Sequence, residues 1–191
     1  MYLLAEVVVA VACSRTKAFD YAADLENFAR WFPGVVIITA NDQLPLSTPG
    51  KQYTETVSVP LRGVRPVTIR VIEATAPDRI VTHGDMRPVS PRMEMEFVQT
   101  GQNVCEVHWR MMSRNENRFA ACTVLPVASW VMRRRAKLGL QNLKIQLERG
   151  ITSSAHSPPV TPVIASDGDM QGVTEMVITS GRKRQRMLLY P

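Results

Sequence analysis

The sequence predicts an α+β domain: an antiparallel sheet of six to seven strands, two short helices directly after the first strand, and one long C-terminal helix. Three observations carry this prediction. A valine-rich run, Leu3 to Ala12, is followed from Ser14 to Pro33 by a stretch that reads as two helices split by a charged hinge. Strand-like segments bounded by Pro, Gly or Asn/Asp then succeed one another through short linkers, which suits antiparallel neighbours because parallel strands need long crossovers. A helical apolar periodicity finally runs without interruption to Arg149.

Leu3 to Ala12 is too short to span a bilayer. Its junction with Cys13 has the outline of a lipoprotein leader, but no basic residue precedes it and Glu6 breaks the apolar run. Ser14 offers a hydroxyl to cap a first helix, in which Ala18, Phe19 and Ala22 recur at helical spacing. Asp24 caps a second helix, where Leu25, Phe28, Ala29 and Phe32 share a side and Pro33-Gly34 ends it. Strands are predicted at Val35 to Ala40, Lys51 to Val59, Val64 to Ala74 and Arg79 to Met86.

The last two strands define their own register. Met93, Met95 and Phe97 alternate with Glu94 and Glu96, and Val107, Trp109 and Met111 alternate with Glu106, His108 and Arg110. Matching apolar to apolar places Phe97 opposite Val107 and Met95 opposite Trp109, so that Glu96 faces His108 and Glu94 faces Arg110. This leaves Gly101-Gln102-Asn103 as a three-residue loop. The apolar face, including Met95, Phe97, Trp109 and Met111, is a core, a pocket wall, or both, since methionine serves either use. His108 beside Glu96 reads as a surface cross-strand pair.

The opening motif is specific. Ala18, Phe19, Tyr21, Ala23, Asp24, Glu26, Phe28, Trp31 and Pro33, following a strand and a small polar residue, resemble the start of the START-like helix-grip superfamily (SRPBCC), in its polyketide cyclase/dehydrase branch. The likeness extends over roughly residues 3–149 as an order of elements. It implies a curved sheet wrapped around the C-terminal helix with a ligand cavity between them. It does not fix chemistry, since the superfamily covers lipid carriers, cyclases and oxygenase domains.

On the long helix, at about 100° per residue, Arg133, Arg134, Lys137, Gln141, Lys144 and Glu148 gather on a wet face. The opposite arc is apolar from Ala128 to Leu147, yet it contains Arg135, Asn142 and Gln146 stacked on one line. Buried polar groups without partners cost about 1–3 kcal/mol each, so these three need strand carboxylates, water or a ligand. In a helix-grip fold that face borders the cavity, which makes them candidate polar anchors. The alternative is that Arg135 passes the helix edge or pairs with a strand residue such as Glu55, and that the amides bond backbone. Gly139, on the inward azimuth, indicates close approach by sheet or ligand. Before this run, Phe119 to Leu125 reads as a separate helical segment that bends at Val124-Leu125 ahead of Pro126.

Composition sets further bounds. A chain of 191 residues with 45% hydrophobic content suits one domain, 1–150, plus an extension, 151–191, whose Ser/Pro-rich start reads as a flexible tail. The tail ends Gly181-Arg-Lys-Arg-Gln-Arg-Met-Leu-Leu-Tyr-Pro191, a basic end that is either solvated or in weak contact with an anionic membrane or nucleic acid. The body carries +5 of the net +6 charge. Three cysteines without metal spacing fit reduced thiols in a cytoplasmic protein. The sequence has no phosphate-cradling Gly-rich loop, zinc spacing or nucleophile elbow, and nothing in it demands a cofactor.

The leading expectation is binding or transport of a hydrophobic small molecule, lipid, polyketide-like or similar. One alternative is a cyclase/dehydrase-like enzyme, with Arg135 stabilising an enolate and His83 or Glu55 as base. Another is an interaction module that uses the basic helix face and the tail.

Overall fold

A computed structural model describes residues 1–59 and 63–154 of the chain. Seven strands form one antiparallel sheet: β1 (Tyr2–Val11), β2 (Val35–Ala40), β3 (Gln52–Val59), β4 (Gly63–Thr75), β5 (Arg79–Asp85), β6 (Pro91–Gly101) and β7 (Val104–Ser113). Their order, β1-β7-β6-β5-β4-β3-β2, is a meander from β2 to β7, with β1 returning to pair with β7. The helices are α1 (Arg15–Ala23), α2 (Phe28–Trp31), α3 (Arg118–Cys122) and α4 (Val124–Ser154). The predicted tail with its basic end lies outside the described residues.

Local sequence explains the first turn of the chain. Ser14 Oγ accepts from the Lys17 amide and Asp24 from the Glu26 amide, so each capping residue satisfies an N–H that its helix leaves unbonded. A 3-10 turn, Leu25–Asn27, joins α1 to α2. The β6/β7 hairpin has the predicted register, with Phe97 opposite Val107 and Glu96 opposite His108. The connection is tighter than predicted: Gly101 pairs with Val104, and a bulge between Gln99 and Gly101 absorbs the odd residue. The helical break falls at Thr123 rather than at Val124-Leu125, and Pro126 sits in the first turn of α4, where its missing N–H has no partner to lose.

One end of the sheet's inner face is filled by aromatics. Phe19 of α1 meets Phe97 edge-on at 5.5 Å between ring centres. Phe28, Trp31 and Phe32 form a cluster whose last member lies 5.4 Å from Trp109. Helix α4 closes the layer with Leu125, Ala136, Leu140, Leu143 and Leu147, all buried. The outer face of the sheet carries paired charges, among them Arg110 with Glu6, Arg92 with Glu94, and Arg79 with Glu94.

The α2 end and α4 touch at Gly139. A Cβ there would stand 2.8 Å from Phe32 Cδ2 and 3.3 Å from Pro33 Cδ, and the Phe32 ring is itself stacked on Phe28. Gly139→Ala is therefore expected to lower stability by about 1–3 kcal/mol, overpacking outweighing the roughly 1 kcal/mol gain in helix propensity. Urea denaturation checks this; an unchanged or higher midpoint would mean that Phe32 yields freely.

Candidate functional site

The aromatic cluster covers only part of the sheet. Beyond it, the inner faces of β3, β4 and β5, the near ends of β6 and β7, and the first turns of α4 enclose a cavity of about 540 Å³. Its walls are mostly apolar, with Ile38, Val57, Val67, Ile69, Met93 and Met111 from the sheet and Val127, Ala128, Val131 and Met132 from α4. Phe28 and Phe32 form the floor toward the filled half. Two ionisable side chains, Glu55 and Arg135, line this interior, and exposed Arg65 and Arg87 border it.

Glu55 points inward because β3 alternates: Tyr53, Glu55 and Val57 share the inner face. Its residue is 8% exposed and has no hydrogen-bond or ion-pair partner among the described residues. Burial without a compensating charge favours the neutral acid, and the carboxyl is pushed up to about 7.

Arg135 reaches the same wall from α4. Its Nη2 donates to the Ser58 carbonyl at 2.8 Å, and burial lowers its pKa. The guanidinium lies directly over Gly34, where a Cβ would stand 2.5 Å from Nη1. Gly34 also adopts φ +93°, so the position needs glycine twice over, for its backbone and for the passage of Arg135. No ion pair joins Arg135 to Glu55 among the described residues, so the pairing weighed from sequence does not form.

The other residues singled out from sequence divide. Met111 lines the cavity with Arg135. Met95, Phe97 and Trp109 do not; they lie in the filled half, buried beneath α1 and α2. Gly139 marks the place where α2 crosses α4 and ends the cavity. Asn142 and Gln146 stand past that crossing, which corrects the expectation that one line of the helix projects into one chamber. Asn142 is exposed and its Nδ2 donates to the Trp31 carbonyl at 3.2 Å, while Gln146 borders a shallow depression with Ser14, Lys17 and Tyr21. His83 is on the outer face, its Nε2 3.1 Å from Arg92 Nη1, so it is no base for this cavity. Sequence reasoning missed Gly34 as part of the site; Pro33-Gly34 signalled only a helix stop.

A seven-stranded antiparallel sheet closed by a long C-terminal helix over an apolar cavity defines a helix-grip, hydrophobic-ligand-binding fold. Residues 3–148 match the family described as polyketide cyclase / dehydrase and lipid transport, and the chain belongs to it. Solved structures show the same fold. A protein from Thermobifida fusca is similar with a TM-score of 0.58 at 21% identity, over 76% of this chain and 93% of that one. The Zhui aromatase/cyclase from Streptomyces sp. R1128 is similar with a TM-score of 0.58 at 14% identity, over 78% and 95%. The di-domain aromatase/cyclase StfQ of the steffimycin biosynthetic pathway gives 0.56 at 13% identity, over 80% of this chain and 51% of that one. No curated protein matches the sequence. No helix among the described residues is long and apolar enough to cross a membrane.

Proposed function

We propose that the chain binds and carries an apolar small molecule in this cavity, with Arg135 orienting the ligand's polar end. The observation that supports it is a cavity of about 540 Å³ with apolar walls, into which Arg135 and Glu55 project without counter-ions among the described residues. An apolar body gains by leaving water, and an oxygen-rich end supplies the acceptor that the free N–H groups of a guanidinium lack. Native mass spectrometry of gently purified protein tests this: a nonstoichiometric added mass is expected, and its absence across several expression hosts would count against any cargo.

Arg135→Met removes the charge while keeping the length of the side chain. Affinity for the recovered ligand is expected to fall about tenfold or more, the loss of one charge-assisted hydrogen bond. Unchanged affinity together with raised stability would remove Arg135 from the anchoring role.

A second reading, cyclase/dehydrase-like catalysis, rests on Glu55. A carboxyl held near 7 in a water-poor cavity can both take and return a proton at neutral pH, as general acid–base chemistry requires. Incubating the recovered ligand with protein separates the two: a carrier returns it unchanged, whereas an enzyme converts it at a rate that Glu55→Gln abolishes.

A further inference from the structure

The cavity opens beside a surface that is apolar and cationic together. Phe119 of α3 is 76% exposed, and Val127 and Trp130 of α4 are 63% and 67% exposed. Val127 is at once part of the cavity lining and part of this outer surface, so ligand entrance and exposed apolar side chains are continuous. Trp130 stands three residues after Val127 and four before Arg134, which places all three on one side of the helix. Large exposed aromatics grouped this way mark an interaction site rather than ordinary surface.

Charge points the same way. Between Arg114 and Leu147 the chain carries seven cations and a single carboxylate, Glu116. Arg118, Arg133, Arg134 and Lys137 form no ion pair among the described residues, and neither do Arg65 and Arg87 at the cavity rim. By contrast, Arg79, Arg92 and Arg110 on the sheet, and Arg15 at the start of α1, all pair with carboxylates. Lys17, Arg30 and Arg70 also form no ion pair among the described residues, but they are scattered over α1, α2 and β4, whereas the unpaired cations of α3 and α4 gather within residues 118–137.

We infer that α3 and the first turns of α4 dock on an anionic lipid bilayer, with Phe119, Val127 and Trp130 entering the headgroup region and the flanking cations meeting lipid phosphates. Tryptophan and phenylalanine beside arginine and lysine suit an interface that is apolar below and anionic above. Each cation held near such a surface adds to the attraction, which salt screens. Docking in this pose sets the entrance against the bilayer, so an apolar cargo passes between membrane and cavity without crossing water. The inference goes beyond cargo binding, and its readout does not need the cavity to be occupied, so either reading can fail alone.

Trp130 provides the readout, because Trp31 and Trp109 are fully buried. Full-length protein is mixed with vesicles of phosphatidylcholine containing phosphatidylglycerol, and with vesicles of phosphatidylcholine alone. A blue shift of tryptophan emission and co-sedimentation are expected with the anionic vesicles only, reversed by high salt. Trp130→Phe should abolish the shift. Phe119→Ser combined with Trp130→Ser should weaken vesicle binding at least tenfold while leaving the urea midpoint unchanged. Vesicle binding that proceeds without an emission shift, or that survives the double substitution, would place the contact elsewhere, as on the basic C-terminal end, and overturn the inference. A Trp130 response to duplex DNA with none to vesicles would overturn it as well.

Discussion

Glu55→Gln is expected to stabilise the protein by about 3 kcal/mol above pH 7 and to change nothing near pH 4. The folded state holds this carboxyl at about 7 against an ordinary value of 4.5, so between those two pH values the native protein keeps a proton that the unfolded chain has released. Stability must then fall as pH rises through that window, and the cost is complete once the folded group ionises above 7. Each pKa unit corresponds to about 1.4 kcal/mol, which gives the figure of about 3. Glutamine matches the neutral acid in shape and removes the ionisation, so the variant loses the pH dependence across the window. Urea denaturation at pH 4, 6 and 8 measures it. Parallel curves for both proteins would show that Glu55 ionises normally and is hydrated or paired.

The same substitution affects cargo. An apolar ligand that displaces water from around Glu55 favours the protonated form further, so wild-type affinity should decline above pH 7 while that of Glu55→Gln stays flat. A pH-independent affinity in the wild type would place the ligand away from β3.

How much of this was legible follows from the range of each signal. The β6/β7 register could be read because strand alternation has period two and only one offset matches apolar with apolar, yet the bulge before Gly101 changed the loop without changing the register. Arg135 stood out as a cation within an apolar arc. Asn142 and Gln146 share that azimuth, but azimuth says nothing of how far along the helix a cavity extends. That limit is set by Phe32 and Pro33 meeting Gly139, a contact between residues more than a hundred positions apart. Glu55 had a local signal, an acid at an inward position between Tyr53 and Val57, but its lack of a counter-charge is a tertiary fact. Gly34 failed for a similar reason: a helix stop and an arginine cradle use the same residue.

The division of the Met/Phe/Trp face yields the other large effect. Trp109 is fully buried, its indole beside Phe32, and its Nε1 has no hydrogen-bond partner among the described residues. Because it lies in the filled half, Trp109→Ala opens a void that α2 can only partly close, and a loss of about 3–5 kcal/mol is expected. Trp109→Phe keeps a ring against Phe32 and removes the unpaired donor, so its cost should stay below about 1.5 kcal/mol. Met111→Ala, on the cavity wall, leaves space continuous with a chamber that is already open, so it creates little new void and should fall below the 2–5 kcal/mol usual for a packed methionine. Chemical denaturation of the three variants orders them as Trp109→Ala, then Met111→Ala, then Trp109→Phe. If Trp109→Ala costs no more than Met111→Ala, the boundary between filled core and cavity does not run between these two neighbours on β7.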